Sequence, residues 1–489
     1  MKSTKMGVVV FLCCLLVIME VQHYRLGLED TNMFFWVIEH QDVHKGAQTS
    51  KVPFYMYDPQ LFLPCNFGYI YTKHGSAPLA LRNLHVHPWR TALPLAKVCV
   101  VPVDFTTIQL EDCGNKPEFT MEDHVHRVRE VVEPALTVNP SCVHLYFAAH
   151  FAVRIVELAK QLPGPSVSVI THFDGWEQFN ILGESLPVNH NCTSVSSMMI
   201  VPYTTKYEET NFGAFATTNR WTPNKGEFAE KLIRPMHPFF LEYVNASNLH
   251  NHYRHFISFI GSVHNFDYGY IGRPHIQSRL QKARLQLLEE SNPAPSDAFV
   301  RVSQFDREHP IARHINLRKC EDNVSFDCDS WLLEVHNLDR GPCQGELPAE
   351  LAFAQQQHAK FYLCMGGDSP SADRFFHAFY WGGVCVVVTD PDAPLWEYLP
   401  FPDIVPYREM FVSIPLESFI RNPWSSIDEV TRNMSTGEYL ARQELMRKHK
   451  QDVLFDVEDS RVATNYLITA LSIGSRAVQE CRQKAHHLQ

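Results

Sequence analysis

The chain has 489 residues, of which 45% are hydrophobic and 20% charged. At about 150 residues per domain this length allows two or three domains, and the composition excludes a largely disordered chain or a polytopic membrane protein. The net charge is -11, with 43 Lys and Arg against 54 Asp and Glu; phosphate backbones are held by clustered cations, so no nucleic-acid partner is expected.

Lys2 and Lys5 precede an apolar run of 13 residues, Gly7–Met19. A helix of that length spans roughly 20 Å, short of a ~30 Å hydrocarbon core. A cleaved signal peptide has an apolar segment of this size, but Met19, Glu20, Val21 and Gln22 are all large and leave no small-x-small cleavage site. The lysines favour a cytosolic N-terminus, and short spans suit the thinner early secretory membranes. The expectation is a cytosolic tail and signal anchor over 1–21, a polar stem over 22–50 and a lumenal body. Four N-x-S/T sequons, at Asn191, Asn245, Asn323 and Asn433, agree with that side of the membrane. Of 13 cysteines, two (Cys13 and Cys14) lie in the apolar run, and the remaining number is odd. Cys99, Cys364 and Cys385 sit in apolar, strand-like runs and read as core thiols. Cys320, Cys328 and Cys343 sit in a polar stretch and read as disulfide candidates.

From Lys51, short apolar runs alternate with helix-like segments. The first series is Lys97–Asp104, Val143–Ala148, Val167–Thr171 and Met198–Val201. The second is Phe256–Ile260, Ala298–Val302, Phe361–Cys364 and Val384–Thr389. Nearly continuous apolar runs imply strands buried on both faces, hence parallel sheets flanked by helices such as Ser278–Glu290 and Ala372–Tyr380. Two such series predict two doubly wound domains, over 51–240 and 241–435. The boundary falls in a less apolar stretch holding Pro223, Pro235 and Pro238, and a helical segment over 436–489 closes the chain.

The sharpest chemistry lies in Phe361–Asp390. A strand ending at Cys364 is followed by Gly366-Gly367-Asp368-Ser369-Pro370-Ser371, then a helix with Phe375, Phe376, Phe379 and Tyr380 on one face. Gly382-Gly383 stops it before the next strand. Ser369 suits the N-cap and Pro370 the first turn. A helix start of this kind offers amide N–H groups to a phosphate. Ser371 adds a hydroxyl, and Arg374 could make a two-pronged contact to a diphosphate. Neither a P-loop nor a GxGxxG is present, so these residues alone indicate an anion at a helix start and no more.

The same stretch resembles the C-terminal motif of exostosin-type glycosyltransferases: a strand, G-D-S-P-[ST], an arginine, an aromatic-rich helix, Gly and a strand ending in Asp. Leu399-Pro400-Phe401, Tyr407-Arg408 and Phe411–Ile414 are similar to that family's tail. Upstream, Phe54–Asp58 with Phe62, the strand before Phe105, Thr171–Trp176, Met199–Tyr203, and Phe259-Ile260-Gly261 with Arg279 resemble its other conserved segments, in collinear order over about 51 to 420. The resemblance implies an α/β, GT-B architecture: two Rossmann-like domains facing across a cleft, the first acceptor-side and the second nucleotide-sugar-binding. It implies inverting transfer from a UDP-sugar to a glycan or glycoprotein hydroxyl, in polysaccharide biosynthesis or protein glycosylation. The enzyme would be a single-pass type II Golgi membrane protein, open to association with itself or with other transferases.

In that reading Gly367, Ser369, Ser371 and Arg374 hold the diphosphate, whose growing charge fixed positive groups stabilise. Asp174, which matches the family's acid, is the preferred base. His172 has a suitable unperturbed pKa, and Asp104 is a further strand-end acid. Many relatives carry Pro-Phe-Glu after the second strand; here Phe401 is followed by Pro402 and Asp403, so Asp403 or Glu397 would have to hold the ribose. Asp390-Pro391-Asp392 could hold a divalent metal in a GT-A-like enzyme; none is expected, because the helix start and Arg374 supply positive charge. A sulfotransferase and a catalytically silent lumenal subunit are the other rivals.

Overall fold

Alternating side chains on each strand find apolar partners on both sides of the sheets, which is why these runs lack polar alternation. The computed structural model describes 51–487, apart from 65–74, 110–118, 151–152, 180–182, 205–254, 264–274, 292–293, 306–316, 328–331, 346–351, 353–354, 357–358, 368–369 and the single positions 165, 177, 190, 322, 338, 340, 456 and 458. The expected anchor and stem, and the expected boundary near 240, lie outside the described residues. Among the described residues no helix is long and apolar enough to cross a membrane.

The first series comprises β1 (Phe54–Met56), α1 (Ser76–His85), β2 (Val98–Asp104), α2 (Phe105–Gln109), α3 (Met121–Val138), β3 (Val143–Phe147), α4 (Ile155–Gln161), β4 (Val167–His172) and β5 (Val195–Ile200). The five strands form one parallel sheet in the order β1-β2-β3-β4-β5. Val98, Val100, Leu145 and Val169 face one apolar layer, and Cys99, Val101, Tyr146 and Ile170 face the other, with α3 and α4.

The second series comprises β6 (His255–Val263), α5 (His275–Glu290), β7 (Ala298–Phe305), β8 (Arg318–Lys319), the hairpin β9 (Asn323–Asp327) and β10 (Leu332–Asn337), β11 (Cys343–Gln344), β12 (Ala359–Cys364), α6 (Arg374–Trp381), β13 (Val384–Thr389), α7 (Tyr407–Met410), β14 (Val412–Pro415), α8 (Leu416–Arg421) and α9 (Pro423–Thr431). Its sheet runs β14-β13-β12-β6-β7-β11-β8, all parallel. Phe361, Leu363, Val384 and Val386 face α5, α8 and α9, while Tyr362, Cys364, Cys385 and Val387 face α6. α6 ends at Gly382, whose φ of 72° is the left-handed conformation that terminates helices.

Two helices follow, α10 (Thr436–Val453) and α11 (Val462–His487). Tyr466, Leu467 and Ala470 of α11 join the apolar layer formed by the first sheet's valines, and Phe147 stacks on Tyr466 at 6.1 Å. This differs from the doubly wound expectation. Among the described strands the first sheet has no reversal of order, and a helix from the far end of the chain, together with α1, covers the face that alternating crossovers would otherwise cover.

The core cysteines also depart from expectation. Cys99 pairs with Cys142 and Cys364 with Cys385, and neighbouring strands bring their Cα atoms to 5.9 and 5.6 Å, within bridging range. The partner depends on strand order, which an apolar run does not reveal. Cys320 bonds Cys343, and Cys192 bonds Cys481 across 289 residues; Cys328 lies outside the described residues.

Asp452 fixes the corner between α10 and α11. Its buried carboxylate accepts from His449 Nδ1 at 2.8 Å, Arg461 Nε and Nη2 at 2.8 and 2.7 Å, and Asn465 Nδ2 at 3.1 Å. Burial alone would raise its pKa, but the bonds from His449, Asn465 and Arg461 bring it below the ordinary value. Asp452→Asn is expected to cost about 3 kcal/mol near neutral pH, read as a lower denaturant midpoint. A carboxyl lowered on folding contributes stability above its unfolded pKa of about 4 and loses it as pH falls through the folded value. The gap between wild type and variant should therefore close in acid.

Candidate functional site

The second sheet's strand order places its crevice. The chain runs from β6 outward to β7 and beyond, then returns with β12 on the opposite side of β6. Parallel sheets bind ligands at the carboxyl ends of strands flanking such a reversal. Here those ends are Gly261–Val263 and the turn Met365-Gly366-Gly367. Two arginines converge on it. Arg374 Nη1 donates to the Met365 carbonyl oxygen. Arg284 of α5 donates from Nη2 to the same oxygen at 3.3 Å and from Nη1 to the Ser262 carbonyl at 2.5 Å.

α6 begins at Arg374, two residues after the expected Ala372, and Pro370 lies before the helix and not in its first turn. Asp373 precedes it without a side-chain cap, and Phe375 N–H donates to the Ala372 carbonyl at 3.2 Å. Pro370 and Ser371 are buried, and that burial overrides the local preference for a first helical turn. Arg374 is half-buried at the first helical position, and Gly367 is partly exposed. Ser369, expected as the cap, and Asp368 lie outside the described residues.

At the carboxyl end of β4, His172 fastens a tight turn. Its Nδ1 accepts from Gly175 N–H at 2.7 Å and Asp174 N–H at 3.3 Å. Desolvation, reinforced by nearby His150, lowers its pKa to about 3. The ring is therefore neutral near pH 7, which makes it a turn-holding group and a poor base. Asp174 is buried, and its Oδ1 accepts from Trp176 N–H at 2.9 Å. Gly175 has φ +64°, and a Cβ there would lie 2.3 Å from Met198 Sδ. Asp104 ends β2 and caps α2 through Thr106 N–H at 3.0 Å and Thr107 Oγ1 at 2.6 Å. Burial raises its pKa to about 6 against the lowering effect of those bonds.

Aromatic contacts join this turn to α6. Phe173 stacks on Tyr203 at 3.9 Å, and Tyr203 lies 6.1 Å from Phe376. Trp176 meets Tyr398 edge-on at 5.3 Å. The segments following β4 and β5 thus abut the helix that opens with Arg374.

Other expected residues lie elsewhere. Asp403 is exposed and pairs with Arg476 at 3.4 Å, and Glu397 is exposed too. Arg279 binds Asp392 at 2.5 Å and Glu417 at 2.9 Å and lies 3.4 Å from Asp390, so a guanidinium already faces both carboxylates of the Asp390-x-Asp392 pair. Among the described residues no group of three His, Cys, Asp or Glu side chains is placed to hold a metal. Asn191 and Asn433 are exposed, Asn323 lies in β9, and Asn245 is outside the described residues. Sequence reasoning missed Arg284. The available signal was a basic residue on the apolar stripe of Leu280, Ala283, Leu287 and Leu288.

No protein-family model matches the chain, and no curated protein matches it. Solved structures with some likeness include the N-terminal domain of Candida albicans trehalose-6-phosphate phosphatase (TM-score 0.39, 10% identity, 87% of this chain and 99% of that one). Others are a UDP-forming trehalose-phosphate synthase from Burkholderia vietnamiensis (0.34, 11%, 81% and 76%) and a UDP co-structure of MnaA from S. aureus (0.29, 13%, 84% and 100%). Likeness at this level carries no functional argument, and the functional reading rests on the chain's own residues.

Gly175→Ala is expected to lose about 3 kcal/mol, from the positive φ and the Met198 clash together. Gly183→Ala, at φ +68° with nothing within 4 Å, should lose only about 1 kcal/mol. Chemical denaturation of both variants checks the difference.

Proposed function

We propose that the chain is an inverting glycosyltransferase of exostosin-like, GT-B-like design, moving a sugar from a UDP donor to a glycan or glycoprotein hydroxyl. One observation carries this reading. The turn that resembles the family's donor motif lies where the second sheet's strand order reverses, and its helix touches, through Phe376 and Tyr203, the turn bearing Asp174.

The acceptor oxygen attacks the anomeric carbon as the bond to the diphosphate oxygen breaks. The acceptor's proton passes to Asp174, and the charge gathering on UDP is met by Arg374 and the amides of the Gly366-Gly367 turn. His172 shapes the base's turn and takes no proton itself. Asp104 is the second candidate base, because its raised pKa suits proton acceptance near neutral pH. The donor is a substrate, and no resident cofactor is part of the proposal.

A lumenal, Golgi-membrane location with a type II anchor is proposed with it. The lysine-flanked apolar run and the four disulfides among the described residues, a kind of bond that persists in oxidising compartments, support that location. The exposure of Asp403 and Glu397 favours a second reading, a catalytically silent lumenal subunit, since neither acid is drawn toward the β12 turn.

Nucleoside-diphosphate release by the full-length protein, screened across nucleotide sugars, separates the two. Turnover is expected with a UDP-sugar. Arg374→Ala should lower it at least ~100-fold at unchanged melting temperature, and Asp174→Asn by a similar factor. Release from no donor by a folded chain would leave the silent-subunit reading standing.

A further inference from the structure

The mechanism leaves unused a buried arginine on the second sheet's apolar side. Arg284 is 2% exposed, and its guanidinium spans two strands, holding the Ser262 carbonyl at the end of β6 and the Met365 carbonyl at the end of β12. These strands flank the reversal at which the chain returns to the far side of β6. We infer that Arg284 is a positioning residue that sets the Gly366-Gly367 turn for a nucleoside diphosphate, an inference that rests on the donor-site reading above.

Parallel strands end in carbonyl oxygens, whose partial negative charge would repel an anion in the crevice. Arg284 covers two of them at once. The geometry reaches further through the Met365–Gly366 peptide bond. In a trans peptide the C=O and N–H point in opposite directions. Arg284 and Arg374 both hold the Met365 oxygen, which fixes the plane of that peptide and with it the direction of the Gly366 N–H. Gly367 completes the fit: a Cβ there would lie 3.0 Å from Arg284 Nη2, so the turn closes on the guanidinium because the residue has no side chain.

A lysine cannot replace this group. An ammonium is a point charge on a flexible stem, whereas the planar guanidinium directs two donors to two fixed acceptors. Arg279, the arginine to which the sequence points, is bound to Asp392 and Glu417, so Arg284 alone of the two spans the strand ends.

The test is calorimetric binding of UDP and of uridine to the full-length chain carrying Arg284→Lys, with melting temperature read in the absence of nucleotide. The expected result is a UDP Kd at least tenfold weaker with uridine binding unchanged, since the turn addresses the diphosphate and not the base. A merely structural role would weaken both ligands alike or neither, and an unchanged ratio of UDP to uridine affinity overturns the inference. Should Arg284→Lys fail to fold, Gly367→Ala gives the same readout, because its methyl group displaces the flexible end of Arg284 from the turn; an unchanged ratio there overturns the inference as well. Wild-type turnover of a UDP-sugar alongside an unchanged ratio in the variant would sink the inference alone. A wild-type chain with no preference for UDP over uridine would sink the donor-site reading with it.

Discussion

The parallel pairing of β6 with β12 is the constraint from which the rest follows. Phe361 lies opposite Ile257 and Tyr362 opposite Ser258, in a register that brings the carboxyl ends of two strands about a hundred residues apart in sequence to the same edge of the sheet. A ladder of backbone hydrogen bonds fixes this register, because a one-residue shift would turn every side chain of the strand to the opposite layer. The turn after β12 therefore has a fixed place, and so have the carbonyl oxygens that the two arginines hold.

Aromatic rings join the two sheets. Phe173, Tyr203 and Phe376 form one contact, Trp176 and Tyr398 another, and Phe147 with Phe401 flanks Tyr466. Aromatic pairs contribute about 1 kcal/mol each beyond burial and tolerate small changes of angle, whereas an ion-pair seam would fix one geometry.

The strands of the central sheets were legible because double burial makes them unbroken apolar runs, as in Val384–Thr389. The short edge strands were not. β8 and β11 have two residues each, too few for any pattern. The helix itself was legible to within two residues, but Pro370 does not open it, because the burial of Pro370 and Ser371 is a tertiary fact with no local sign. Disulfide partners depended on strand order in the same way. Asp174 and Arg374 are proposed through resemblance to a family. Arg284 was hidden by that same resemblance, which draws the eye to Arg279, five residues earlier on the same helix.

The closing helix has a consequence for synthesis. One face of the first sheet is covered by α11, and the cystine between residues 192 and 481 joins that sheet's last strand to the chain's end. A ribosome adding 5–20 residues per second needs about 15 to 60 s to travel the 289 residues between those cysteines. Throughout that interval the nascent sheet carries an apolar surface that stays bare until this helix emerges.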